Sequence, residues 1–152
     1  MSIHDRLQEL GLTLPQAPKP VAAYVPAVRA GDLLFVSGQL PFIRGELKHK
    51  GRLPDGIGLD AAKEAARIAA LNALAVVEAN AGLDRVRQVA KVTGFVASAP
   101  DFFDHPQVVN GASDLLVAVF GEAGRHARAA VGVAALPLGA AVEIELIVQL
   151  KD

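Results

Sequence analysis

Residues 141–150 alternate. Val142, Ile144, Leu146 and Val148 interleave with Glu143, Glu145, Ile147 and Gln149, and a period of two is the mark of a strand with one buried face. Such a strand needs neighbours to pair with and a layer to cover its apolar side. The cover is present in the same chain. Asp60 to Ala81 reads as a helix: Asp60 is placed to cap it, Ala61, Ala65, Ile68, Ala69, Ala75, Val76 and Ala79 form a stripe, and Asn80 and Gly82 stop it. A second helix opens at Asp104 or His105 with Pro106 in its first turn. Its stripe is Val108, Val109, Ala112, Leu115, Leu116, Val119 and Phe120, and Gly121 or Gly124 ends it.

The remaining strands frame these helices. Val21 to Arg29 and Leu33 to Val36, separated by Gly31-Asp32, predict a hairpin. Val86 to Ala97 is a strand rich in β-branched residues, and Arg128 to Ala134 is another, joined to the final strand by Leu136-Pro137-Leu138-Gly139 in a second expected hairpin. The order is ββαβαββ, an α+β domain with a mixed sheet covered by two helices on one face. Twenty-eight alanines and only 5% aromatics mean that this core is built from small and aliphatic side chains. Residues 1–20 read as an extension, a short helix capped by Ser2 and ended by Gly11, then a linker with Pro15, Pro18 and Pro20; residues 21–152 read as one domain. Pro41 to Gly58 is the longest irregular stretch, with the basic cluster Lys48-His49-Lys50-Arg52, and a loop of that length is functional or mobile.

Several functions are disfavoured at once. Fifteen basic against sixteen acidic residues give a net charge of −1, without the basic excess of a nucleic-acid binder. No cysteine is present, which removes disulfides, thiolate metal sites and cysteine nucleophiles and makes a cytoplasmic location the expectation. No apolar run approaches a membrane span. The histidines at 4, 49, 105 and 126 lack metal-ligand spacing, so no metal is expected. Phosphate-binding loops, HExxH and GxSxG are absent.

One constellation carries chemistry. Arg128 begins a strand of small residues, Ala129, Ala130, Val131 and Gly132, which leaves room for a ligand. Its planar fork suits a carboxylate. Glu143, on the next strand, is placed to orient water or move a proton. On pattern alone, a structural Arg128–Glu143 ion pair is the favoured alternative. Ser37-Gly38-Gln39 at a strand end reads either as an anion contact or as a turn. Tyr24, the single tyrosine, reads as a pocket cap or a surface aromatic, and Asn110 as a hydrogen-bonding or solvent-facing residue of the second helix.

Residues 128–145, RAAVGVAALPLGAAVEIE, resemble the C-terminal signature of the Rid (YjgF) family of reactive intermediate deaminases, also called L-PSP endoribonucleases. Leu33 to Pro41, LLFVSGQLP, resembles the family's SGQ strand, and 65–96 and 102–120 resemble its helices and third strand. The resemblance implies a chorismate-mutase-like fold and a homotrimer whose sheets form a central barrel, with sites in the clefts between subunits. It implies hydrolysis of 2-aminoacrylate-type enamines or imines to 2-keto acids and ammonia, with no cofactor. Arg128 would grip the substrate carboxylate and Glu143 would handle the water and protons. Ser37, Gly38 and the Ala130 N–H would line the site, Tyr24 would close it and Asn110 would support it. With the motif aligned, the ligand-binding reading of Arg128 overtakes the ion pair; Arg125 is its rival in register. The chain departs from the family pattern at Ala22-Ala23, His126 and Ala130. Three alternatives remain: a non-catalytic cleft for a small carboxylate such as a keto acid; an endoribonuclease or translation inhibitor, which the charge balance disfavours; and a purely structural assembly role.

Overall fold

The computed structural model describes residues 1–19 and 22–152. Helix α1 (Ile3–Glu9) is capped by the Ser2 hydroxyl, which accepts from the Asp5 N–H. Next come β1 (Ala27–Ala30), β2 (Leu33–Gln39) and a two-residue ribbon of β3 (Phe42–Ile43) and β4 (Glu46–Leu47). The order continues with α2 (Leu59–Asn80), β5 (Val86–Ala97), α3 (His105–Phe120), β6 (Ala127–Val133) and β7 (Val142–Leu150). The main sheet runs β1-β2-β7-β5-β6, and the α+β order read from the sequence holds once β3 and β4 are set aside. The strand expected over 21–29 is confined to Ala27–Ala30, with Val21 outside the described residues.

The second expected hairpin does not form. β5 separates the last two strands, pairing parallel with β6 and antiparallel with β7. The cause is the crossover: α3 carries the chain back along β5, so the next strand must run parallel to it. β7 then fills the slot between β2 and β5.

One face of the sheet is buried under the helices. Val36, Val92, Val96, Val142, Ile144, Leu146 and Val148 meet α2 and α3 there. Small residues set the spacing. Ala62, Ala65, Ala66, Ala69, Ala70 and Ala73 of α2 are fully buried, and a Cβ at Gly111 of α3 would strike the Lys63 carbonyl. Gly94 of β5 likewise leaves no room for a Cβ beneath Val109. Such close approach seats α3 low over β5 and β6. Ala61 and Ala79, expected on the buried stripe of α2, are exposed. The helix begins earlier than expected, at Leu59, with Gly58 rather than Asp60 as its cap.

The 41–58 segment is not a loose loop: it opens with the β3–β4 ribbon and continues as irregular but ordered chain. It is strapped down by backbone hydrogen bonds: Gly51 donates to Gly139, Ala141 to His49 and Leu53 to Ala97. The Leu53 side chain is 1% exposed. The other face of the sheet has no helix among the described residues, and it presents Val28, Phe35, Ile147, Phe95 and Val131 beside Glu143 and Glu145.

Candidate functional site

The seven candidate residues fall into two groups. Tyr24, Ser37, Gly38 and Glu143 line one pocket of about 480 Å³, together with Pro26, Gln39 and Pro137. Arg128 and Asn110 meet elsewhere, at the β6 edge, and Ala130 lies two residues along the same strand.

A β-bulge builds the first group. Val36 pairs with Leu146 and Gln39 with Ile144, so Ser37 and Gly38 together oppose Glu145. The extra residue bends β2 and re-aims its backbone. A Cβ at Gly38 would stand 2.8 Å from the Glu143 Cδ and Oε2, so glycine is what lets the carboxylate lie against this strand. The Ser37 hydroxyl donates to the Val25 carbonyl at 2.8 Å, and its N–H donates to Pro26. These bonds tether the segment that carries Tyr24, which is 61% exposed at the pocket rim. The Ser37 proton is therefore already used, and only its oxygen lone pairs face a ligand. Burial holds the Glu143 carboxyl above the ordinary carboxylate range, and the like charge of Glu145 adds to the effect.

The second group rests on α3. Arg128 Nη1 donates to Asn110 Oδ1 at 2.7 Å and to Ser113 Oγ at 3.2 Å. Asn110 and Ser113 are three residues apart and so share a helix face. Arg125, the register rival, is exposed and paired with Glu122 at 3.4 Å.

The ion pair between Arg128 and Glu143 is not made. Arg128 is level with Val92 and Glu143 with Phe95, on strands either side of β5, which separates their Cα atoms by about 14 Å at ordinary sheet spacings. Register also puts them on opposite faces: Arg128 shares the helix side with Val92, and Glu143 the open side with Phe95. The ion pair depended on the hairpin that the crossover replaces.

Two contributors escaped the sequence reading. Ser113 has a legible signal in its spacing from Asn110. Asn72 of α2, which donates to the carbonyls of Leu40 and Phe42 at 2.9 and 3.0 Å, holds the chain just after the bulge, and its role rests on contacts 30 or more residues away in sequence.

Comparison with known proteins gives a consistent picture. The family model described as "YjgF/chorismate mutase-like, putative endoribonuclease" matches residues 4–150. Protein TCP17 of Trypanosoma cruzi is 47% identical over 148 residues, covering 96% of this chain and 92% of that protein. A 2-iminobutanoate/2-iminopropanoate deaminase of Dermatophagoides farinae is 32% identical over 140 residues, covering 92% and 95%. Among crystal structures, a "putative endoribonuclease" of Shewanella oneidensis superimposes with a TM-score of 0.93 at 33% identity, covering 99% of this chain and all of that one. The signature arginine, the SGQ bulge, the sheet order and these matches agree: the chain belongs to the YjgF/RutC family.

Proposed function

We propose that the protein hydrolyses reactive enamine or imine intermediates of the 2-aminoacrylate type to 2-keto acids and ammonia. The observation that carries this reading is the place of Glu143, a half-buried carboxyl on the wall of a pocket beside the Ser37-Gly38 bulge, without an ion-pair partner among the described residues. A carboxylate whose proton affinity is raised accepts a proton more readily near neutral pH than an ordinary one.

The chemistry balances without further reactants. Water adds to C2 of the imine, and one of its protons passes through Glu143 to the imine nitrogen as the C–O bond forms. Glu143 then takes the hydroxyl proton of the carbinolamine and hands it to the same nitrogen, the C–N bond breaks as the C=O bond forms, and ammonia and a 2-keto acid leave. Arg128 holds the substrate carboxylate, Ser37, Gly38 and the Ala130 N–H line the cavity, and Tyr24 covers it. The imine carbon is already electrophilic, so orientation supplies much of the rate.

Because the Arg128 and Glu143 groups open on different faces of one subunit, the working site joins the β6 edge of one copy to the Glu143 pocket of the next. A cyclic homotrimer, the open sheet faces turned inward, closes three such sites. The mite relative named as an iminobutanoate/iminopropanoate deaminase supports the same substrate class.

The test generates 2-aminoacrylate in place with a serine dehydratase and follows keto-acid release. Acceleration by the protein, lost in Arg128→Ala, is expected. Folded protein that gives no acceleration would overturn the deaminase reading; keto-acid binding without turnover would establish a carboxylate-binding cleft instead.

A further inference from the structure

The Arg128 guanidinium is held in an unequal way. Nη1 has two N–H groups, and both are used, one on Asn110 and one on Ser113. The N–H groups of Nε and Nη2 have no partner among the described residues. These two nitrogens form one side of the guanidinium, where their N–H bonds run parallel and match the two oxygens of a carboxylate. The contacts to α3 thus select which side of the arginine is offered.

Ser113 is itself oriented from behind. Its Oγ lies 2.9 Å from His126 Nε2, and His126 Nδ1 lies 2.6 Å from the Gly124 carbonyl oxygen. That carbonyl only accepts, so Nδ1 carries a proton, and in the neutral ring Nε2 is the acceptor. The serine proton then points at His126, and the Ser113 lone pairs are turned towards Arg128. The bonds run in one direction, from Arg128 to Ser113 to His126 to the Gly124 carbonyl, each donor meeting one acceptor. His126 and Ser113 are both partly buried, which shields the Ser113–His126 and His126–Gly124 bonds from competing water, while the arginine they steer stays open to solvent.

The geometry points to Ser113 and His126 as positioning residues that lock Arg128 with its Nε–Nη2 side towards the substrate carboxylate. This inference rests on Arg128 being the carboxylate grip. Neither residue touches substrate; each acts through the arginine. The effect belongs to binding rather than to the bond-breaking step, because the carboxylate keeps its charge throughout the reaction.

The experiment measures KM and kcat for imine hydrolysis, and pyruvate affinity by calorimetry, in Ser113→Ala, Ser113→Thr, His126→Phe and Arg128→Ala. Ser113→Ala and His126→Phe are expected to weaken pyruvate binding and raise KM about 5- to 10-fold, the usual effect of one lost hydrogen bond, with kcat within about twofold of the parent. Ser113→Thr, which keeps the hydroxyl, restores both values. His126→Phe, outside α3, repeats the test should Ser113→Ala not fold. Unchanged affinity in both variants, with binding still lost in Arg128→Ala, overturns the positioning role alone. Unchanged affinity in Arg128→Ala removes the carboxylate grip on which it rests. A fall in kcat at constant KM also contradicts it.

Discussion

Glu143 has no ion-pair partner among the described residues and lies close against its own sheet, and this arrangement links function to stability. Burial and Glu145 raise its proton affinity in the folded chain, whereas unfolding returns it to the ordinary range. The folded state therefore binds the proton more tightly. Stability falls as pH rises from the ordinary carboxylate range through the raised value, and the penalty is complete above it. Glu143→Gln removes the charge. Thermal melts are expected to show the variant more stable than the parent at pH 7, with the difference closing towards pH 4. The same variant should lose about 100-fold or more of imine hydrolysis in the coupled assay, the scale of a missing acid–base group. A variant that is more stable and inactive marks a residue kept for chemistry.

At the level of elements, the segment between β4 and α2 behaves as part of the core. Leu53 is fully enclosed, its N–H bonds to Ala97 and its carbonyl receives the Ala99 N–H. Leu53→Ala should cost about 2–4 kcal/mol in urea unfolding, with faster amide exchange over residues 49–53 as the strap detaches. Nothing local announces this: Lys48-His49-Lys50 and the surrounding glycines read as an irregular loop, because the bonds that order them come from residues 97, 139 and 141. The helices and long strands were legible for the opposite reason, since their periodicity lies within the element. Arg128 and Asn110 were legible as separate candidates. Their meeting was not, because it depends on α3 returning the chain to the β6 edge, and the assumed hairpin misplaced Glu143 for the same reason. The Ser37-Gly38 bulge sits in between: the residues stood out, while their approach to Glu143 is a matter of register.

At the scale of the whole molecule, no helix among the described residues covers the second face of the sheet. Val28, Phe35 and Val131 are 55%, 42% and 43% exposed there, an apolar surface that a protein of this size seldom leaves to water. In the proposed trimer these residues line the interior. Light scattering should give three chain masses, and Phe35→Asp, which places a charge in the middle of that surface, should give one. Dimers or monomers of the unaltered protein would contradict the assembly.

The opposite orientation of Arg128 and Glu143 has a consequence for mixtures. If every site takes its arginine from one copy and its glutamate from the next, Arg128→Ala and Glu143→Gln are each inactive for want of a different half. Dissociated, combined in equal amounts and allowed to reassemble at random, the two inactive proteins should regain about one quarter of the parental activity, because one site in four then joins an intact arginine to an intact glutamate. The defects complement each other between polypeptides, as two broken alleles of a single gene do when their products assemble together.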